Sequence, residues 1–294
     1  MNELVRMISD DGTLYVLCVN STEMVKTAQK THSLSKVCSA ALGRLITGAS
    51  MMGILLKGEN DTLTLKMSGN GPASPIVAVA NSDGIVKGYV GDAHVNIPLN
   101  EKGKLDVSGA IGKDGYLTVI KDLGLKEPYR AQIPFVSGEV AEDITAYYFT
   151  SEQTPTVCGL GVLVNPDDEQ VLLAGGFLIQ LLPTADDETI TKVESGLKGL
   201  KPVTTMLGEG LTPKDICRTV LPNFNLELLD KAEVDYRCDC NEERVTRALI
   251  ATGKEGLTEM SEDEQTEVVC HFCNKKYFYS RERILELLKE ASKE

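Results

Sequence analysis

The sequence predicts an α+β protein in three parts: an N-terminal core domain of antiparallel sheets and helices, a small helical linker, and a C-terminal four-cysteine module. Three observations support this division. Alternating strands come in hairpins along the first part, glycine-interrupted helical periodicity follows, and four cysteines cluster in the last quarter. We therefore expect domains at 1–178, 179–230 and 231–294.

The strands of the core domain are predicted from alternating apolar and polar side chains, which are typical of half-buried strands. The Asp83-Gly84 step is a strong hairpin signal, and the run from Asn165 to Asp168 has the composition of a second turn. The predicted strands and hairpins occupy residues 13–19, 62–67, 76–90 and 156–177.

Two helices are predicted to pack against these strands. Residues 37–56 form a long apolar stretch, but Arg44 and three glycines interrupt it. A buried core helix therefore explains this stretch better than a membrane span. Residues 139–153 carry Val140, Ile144 and Tyr147 at helical spacing, which predicts a helix with one buried face.

The linker is predicted from helical spacing interrupted by glycines. Ile190, Val193 and Leu197 share one face of an amphipathic helix. Thr212 and Pro213 have the residue types of an N-cap and a first helical position. Each glycine that falls inside a helix lowers its stability by about 1 kcal/mol. The linker must therefore be stabilised by whatever it packs against.

The composition restricts the partners and the compartment. The chain is 42% hydrophobic and 25% charged, as in folded globular proteins. A net charge of −13 argues against a nucleic-acid partner, because neutralising phosphates needs clustered Lys and Arg. The N-terminus shows no basic region followed by an apolar stretch. We therefore expect no signal peptide, no membrane partner and a cytoplasmic location, where thiols stay reduced.

Four cysteines form two close pairs near the C-terminus. Cys238 and Cys240 make a C-x-C pair, Cys270 and Cys273 make a C-x-x-C pair, and 29 residues separate the pairs. Four thiols grouped in this way can bind one zinc ion or close into two short disulfides. The C-x-C pair and the long separation depart from the usual zinc ribbon. The set indicates zinc strongly, but it does not specify a function.

The small size of the C-terminal module favours a metal. About 60 residues bury little apolar surface, and structural zinc can supply about 10–16 kcal/mol of coupled binding and folding energy. A permanent structural zinc site, a redox-sensitive site and a metal-free arrangement all remain open, and the spacing alone favours the first. Arg237, His271, Lys275 and Lys276 favour the redox-sensitive site, because nearby positive groups stabilise thiolates.

Other candidate residues are expected to be structural. Four thiolates already fill a tetrahedral site, so we expect His271 not to bind the metal and Asp239 to face solvent. The histidines have no nucleophile motif, and the turn 69–72 lacks the Lys-Ser/Thr ending of a phosphate loop. We therefore expect no enzymatic centre and no ATP-driven mechanism. The remaining cysteines are expected to be small buried hydrophobes: Cys18, Cys38, Cys158 and Cys217.

Short motifs along essentially the whole chain match one family. In the last domain they are Cys238-Asp239-Cys240, Glu243-Arg244 and Cys270-His271-Phe272-Cys273. In the core they are Ala41-Leu42-Gly43-Arg44, Leu56-Lys57-Gly58, Gly69-Asn70-Gly71-Pro72, Ser151-Glu152-Gln153, Pro155-Thr156, Ala174-Gly175-Gly176, Gln180 and Pro183. With these motifs the chain resembles the heat shock protein 33 family of redox-regulated bacterial chaperones. Asn241 and Glu242 depart from the residues common in that family.

The resemblance implies a holdase that binds unfolding client proteins without ATP and is not an enzyme. It implies that the reduced form binds one zinc ion per chain through Cys238, Cys240, Cys270 and Cys273 and is inactive. Oxidation would form the disulfides Cys238–Cys240 and Cys270–Cys273, release zinc and unfold the module and linker. The active form would be a homodimer.

Two other function classes remain open. A zinc-ribbon adaptor would keep its metal in peroxide, and a thiol-disulfide oxidoreductase would use Cys270 and Cys273 catalytically. The second class is weaker, since neither pair lies in a thioredoxin-like βαβ unit. If the site is a switch, we expect Cys270–Cys273 to form before Cys238–Cys240, because the C-x-x-C ring is less strained.

Overall fold

The structure is a computed structural model that describes residues 2–291. The chain forms two compact units, of which the first ends at Arg237 and the second begins at Cys238. The strands are β1 (Glu3–Ser9), β2 (Leu14–Asn20), β3 (Thr62–Gly69), β4 (Ile76–Asn81), β5 (Ile85–Val90), β6 (Gly115–Asp122), β7 (Tyr129–Pro134), β8 (Thr156–Val164), β9 (Val171–Leu181), β10 (Leu226–Glu233), β11 (Asp235–Tyr236), β12 (Gln265–Val269) and β13 (Lys276–Ser280). The helices are α1 (Thr22–His32), α2 (Lys36–Gly53), α3 (Val107–Ile111), α4 (Val140–Tyr147), α5 (Asp187–Leu197), α6 (Val203–Gly208), α7 (Pro213–Val220), α8 (Glu242–Ile250), α9 (Gly253–Met260) and α10 (Arg281–Glu290).

The first unit contains two sheets, which confirms the α+β prediction. The first sheet has the order β10-β1-β2-β9-β8 and is antiparallel throughout. The second has the order β11-β5-β4-β3-β6-β7, and only the pairing of β11 with β5 is parallel. The predicted hairpins form β4–β5 and β8–β9, with Asn81 and Asn165 at the starts of their turns.

Helix α2 packs against strands of both sheets and forms the centre of the main core. Every residue of α2 is buried except Lys36 and Arg44, and Arg44 pairs with Glu139. A Cβ at Gly53 would lie 2.6 Å from the backbone oxygen of Asn81, so this close approach needs glycine. The predicted buried core helix is confirmed, and among residues 2–291 no helix is both long and apolar enough to cross a membrane.

The predicted helix at 139–153 changes its geometry near its end. Helix α4 stops at Tyr147, and a π-helical turn continues from Tyr148 to Glu152. Gln153 then takes a left-handed conformation, with φ of 53°. The spacing of apolar residues reveals the buried face of this segment, but it does not reveal the change in hydrogen-bond pattern.

The predicted linker helices cover the other face of the first sheet. Helices α5, α6 and α7 supply Val193, Met206 and Ile216 to a second hydrophobic cluster. The strands β1, β2 and β9 supply Met7, Val16, Ile179 and other residues to the same cluster. At α7, Thr212 and Asp215 form the reciprocal hydrogen bonds of a capping box, so the predicted N-cap is confirmed.

Two strands after the linker helices were not predicted. Strand β10 pairs with β1 at the edge of the first sheet, although several of its side chains are exposed and charged. Strand β11 leads directly to the second unit. Its Tyr236 is buried, donates a hydrogen bond to the Gly88 carbonyl at 2.7 Å, and lies 2.8 Å from Nε2 of His32.

The second unit combines the β12–β13 hairpin with α8, α9 and α10. Ser280 caps α10 by accepting a hydrogen bond from the Arg283 amide. Among the described residues of this unit, 238–291, seven form the buried hydrophobic cluster: Val245, Leu249, Leu257, Tyr277, Tyr279, Ile284 and Leu287.

Candidate metal centre

The four paired cysteines lie at two turns of the chain. Cys238 and Cys240 follow β11, and Asn241 then caps α8 by accepting a hydrogen bond from the Arg244 amide. Cys270 and Cys273 lie in the loop of the β12–β13 hairpin. These elements fix both pairs at the ends of regular structure.

Backbone hydrogen bonds hold the C-x-x-C loop. The Cys270 amide donates to the Lys275 carbonyl at 2.9 Å, and the Asn274 amide donates to the Cys270 carbonyl at 2.8 Å. Asn274 has a φ of 58°, a left-handed conformation that Asn tolerates better than most residues. The loop therefore presents both of its thiols from one tight turn.

The four thiols converge on one point. All four Sγ atoms lie within 4.8 Å of one another. A Zn–S bond of about 2.3 Å places the sulfurs of a regular tetrahedron about 3.8 Å apart. The Sγ atoms of Cys238 and Cys270 are 3.7 Å apart, and those of Cys240 and Cys273 are 3.4 Å apart. The arrangement therefore fits a tetrahedral all-thiolate metal site.

Both of these sulfur–sulfur contacts join one pair to the other. The thiols are therefore interleaved, and each cysteine of the first pair contacts one of the second. Any metal held here would link the segment before α8 to the β12–β13 hairpin. Cys240 and Cys270, one from each pair, also pack against the second unit's hydrophobic cluster.

Tyr277 contacts the centre and was missed in the sequence. Its hydroxyl donates a hydrogen bond to Cys240 Sγ at 3.1 Å. Burial alone would raise the pKa of the Cys240 thiol, but hydrogen bonds from Tyr277 and the neighbouring thiols lower it to about 7. The alternation of Tyr277, Phe278 and Tyr279 could have shown that both tyrosines share one face of β13.

At two other thiols burial outweighs the hydrogen bonds that lower the pKa. It raises the pKa of Cys238 and, more moderately, that of Cys273. Cys240 therefore carries a negative charge more readily than Cys238 or Cys273 before a metal binds.

The charged neighbours of the cysteines have other contacts. Lys275 lies over the Tyr277 ring at 5.0 Å, and Lys276 pairs with Glu267 at 2.9 Å. Asp239 pairs with Arg244 and is largely exposed, which agrees with the prediction that it faces solvent. Within residues 2–291 the group of close ligand atoms consists of the four cysteines, and His271 does not belong to it.

The other four cysteines lie outside this centre. Cys18, Cys38 and Cys217 are buried, and Cys158 is partly exposed, in broad agreement with the prediction. Cys38 donates to the Asp92 carbonyl at 3.3 Å. Cys18 and Cys217 belong to the same hydrophobic cluster, a proximity that sequence spacing could not show.

Comparison with known proteins decides the family. Residues 2–280 match the family described as Hsp33 protein. The chain belongs to the Hsp33 family. It is 45% identical over 289 residues to the 33 kDa chaperonin of a Thermoanaerobacter strain, with 98% of each chain covered. It is 46% identical over 288 residues to the 33 kDa chaperonin of Clostridioides difficile, again with 98% of each chain covered.

A solved structure supports the same assignment. The crystal structure of the 33 kDa chaperonin, or heat shock protein 33 homolog, from Thermotoga maritima matches with a TM-score of 0.89 at 37% identity. The match covers 100% of this chain and 99% of the other. The Hsp33 family and the names of these relatives identify the protein as a chaperone. The cysteine cluster fits metal binding and a redox centre within this Hsp33 chain.

Proposed function

We propose that the protein is a redox-regulated, ATP-independent holdase that binds unfolding or oxidatively damaged proteins. The observation that carries the proposal is the convergence of four thiols within 4.8 Å in a chain of a chaperone family. The functional parts are the core domain 1–178, the linker 179–230 and the redox-switch domain 231–294. The active form is a homodimer in the cytoplasm, without a nucleic-acid or membrane partner.

In the reduced form, Cys238, Cys240, Cys270 and Cys273 would hold one zinc ion. Bound zinc supplies folding energy to a unit whose buried cluster contains seven hydrophobic residues. Tyr277 orients Cys240 and stabilises its negative charge through the hydrogen bond to Sγ. This form keeps the linker helices on the first sheet and is inactive.

Oxidation removes all four ligands. Two molecules of hydrogen peroxide accept the four electrons of the thiolates and, with four protons from water, leave as four water molecules. The sulfurs form the bonds Cys238–Cys240 and Cys270–Cys273, so the metal is released. A unit with so few buried residues then loses most of its folding free energy.

Unfolding reaches the linker through the chain itself. Strands β11 and β10 lie between the cysteine unit and α7, and β10 is a largely exposed edge strand. Helices α5, α6 and α7 contain only 6 to 11 residues, so their stability comes from packing. Release of these helices exposes Met7, Val16 and Ile179, an apolar surface that clients can bind.

One experiment tests the whole proposal. Zinc release and suppression of client aggregation are measured on the same sample before and after mild peroxide treatment, and again after reduction. We expect zinc release and suppression to appear together and to reverse with reductant and added zinc. Zinc that survives peroxide would favour a fixed adaptor, and catalytic reduction of a model disulfide would favour an oxidoreductase.

The order of disulfide formation gives a finer test. We expect Cys270–Cys273 to accumulate first during slow oxidation, because a C-x-x-C ring is less strained than a C-x-C ring. Alkylation of the remaining thiols followed by mass spectrometry would show the order. Early accumulation of Cys238–Cys240, or of the cross-pair bonds Cys238–Cys270 and Cys240–Cys273, would contradict it.

A further inference from the structure

A second thiol pair lies under the linker, away from the metal centre. Cys18 is on β2, and Cys217 is on α7. Both side chains are fully buried in the cluster that joins the first sheet to the linker helices. Helix α7 packs directly against β2, so the two thiols meet at the contact between linker and sheet.

The two thiols interact with each other. Burial raises the pKa of Cys18 well above its ordinary value, and the neighbouring thiol of Cys217 raises it further. No other thiol contributes to the raised pKa of Cys38 or Cys158. Cys38 donates a hydrogen bond to a backbone carbonyl, and the raised pKa of Cys158 comes from burial. Cys217 lies on a linker helix, and Cys18 lies on the sheet. The pair therefore spans the contact that must separate when the linker is released.

We propose that Cys18 and Cys217 form a disulfide that fastens helix α7 to strand β2 and holds the linker on the sheet. This role as a brake rests on the proposed function, because it matters only if release of the linker activates the chaperone. The bond itself requires only that the two thiols meet and that an oxidant reaches them.

Formation of the Cys18–Cys217 disulfide consumes one molecule of hydrogen peroxide. One thiolate attacks the peroxide oxygen, forms a sulfenic acid and expels hydroxide, which takes up a proton to become water. The second thiol then attacks the sulfenic sulfur, forms the S–S bond and releases a second water. In the closed form both thiols are fully buried, so peroxide does not reach them. Opening of α7 admits peroxide, and re-docking of α7 brings the two sulfurs together.

Peptide mapping tests the bond directly. Native wild-type protein is oxidised with peroxide for increasing times, alkylated and digested with trypsin without reduction. We expect a linked pair of peptides, 7–26 with 215–218, to appear after the disulfides of the metal centre. Cys217→Ala and Cys18→Ala must lack it, and Cys158→Ala is the matched control that must retain it. Absence of the linked pair from wild type after complete oxidation of the metal centre would overturn the proposal.

Hydrogen exchange tests whether the disulfide holds α7 on the sheet, and it needs no client protein. Amides of residues 213–220 should exchange roughly tenfold more slowly in the cross-linked wild type than in oxidised Cys217→Ala, and reductant should remove the difference. Equal exchange in a sample shown to be cross-linked would overturn the brake. Failure of both oxidised proteins to suppress aggregation would instead refute the proposed holdase function, while the peptide map would still decide whether the bond forms.

Discussion

The two units of the molecule obtain their stability in different ways. In the first unit α2 is buried along nearly its whole length between strands of two sheets. In the second unit seven buried hydrophobic residues lie beside four converging thiols. The first unit has an extensive apolar core, whereas the second has a small one, which the proposed metal would supplement. Under the proposed function, a chemical signal that acts on sulfur would therefore unfold the second unit and leave the first intact.

The linker helices have an intermediate position in this comparison. Their cluster is well buried, but the first sheet supplies seven of its fifteen buried residues. These short helices therefore depend on a surface that stays folded without them. Substitutions can remove the metal ligands, the core packing, the hydrogen bond to Cys240 and the helix cap one at a time, and loss of a metal ligand should have the largest effect.

Removal of a proposed ligand should have the largest effect. Cys270→Ser should lower zinc content and loosen residues 238–291 under reducing conditions, because metal binding supplies about 10 kcal/mol or more to a small module. Zinc analysis and hydrogen exchange would measure this. Cys158→Ser is the matched control, since Cys158 lies in β8, outside the cluster. Full zinc content and unchanged exchange in Cys270→Ser would show that the second unit does not need the metal.

Truncation of a core leucine should have the second-largest effect and should distinguish the two units. Leu42→Ala removes a fully buried side chain of α2 and should destabilise the first unit by about 2–5 kcal/mol. Leu287→Ala removes a fully buried side chain of the second unit, and excess zinc should largely restore that unit by mass action. Thermal unfolding with and without added zinc would measure both. Equal zinc rescue of the two variants would contradict the difference between the units.

Loss of the hydroxyl beside Cys240 should have a smaller effect. Tyr277→Phe removes the hydrogen bond to Sγ and should weaken zinc binding about tenfold, as loss of an outer-shell partner typically does. It should also raise the pKa of Cys240 from about 7. Tyr279→Phe is the control on the same strand, since its hydroxyl donates to the Glu242 carbonyl instead. Competition with a metal chelator would measure the affinities, and equal values in both variants would remove Tyr277 from the site.

Local patterns in the sequence predict much of this fold. The hairpin turns, the buried α2 and the caps of α7 and α10 follow from residue types at neighbouring positions. The convergence of the four cysteines was anticipated from their grouping and from the family resemblance. Strand β10 was missed because its exposed, charged residues carry little alternation, and pairing with β1 stabilises it. The contacts of Tyr277 with Cys240 and of Cys18 with Cys217 join residues 37 and 199 positions apart, and no local pattern encodes such contacts.

Loss of the capping box of α7 should have the smallest effect on stability. This effect should also be the most specific for the linker. Thr212→Ala removes the side chain that caps the Asp215 amide and should destabilise α7 by about 1 kcal/mol. Because hydrogen bonds from Thr212 lower the pKa of Asp215, the contribution of its carboxylate is complete at neutral pH and is lost only below about pH 4. The variant should therefore need less oxidant to reach half of its full chaperone activity at pH 7, with its zinc affinity unchanged.

Thr219→Ala is the matched control for this change. Thr219 is exposed on the same helix, and its hydroxyl donates to the Asp215 carbonyl without capping the helix. Alanine favours helix at such a position, so the oxidant requirement should stay the same or rise slightly. Titration of activity against peroxide, with zinc release followed in parallel, would separate the two variants. If both variants needed less oxidant, loss of any side chain on α7 would be enough to ease activation. The stability of the linker would then not depend on its cap.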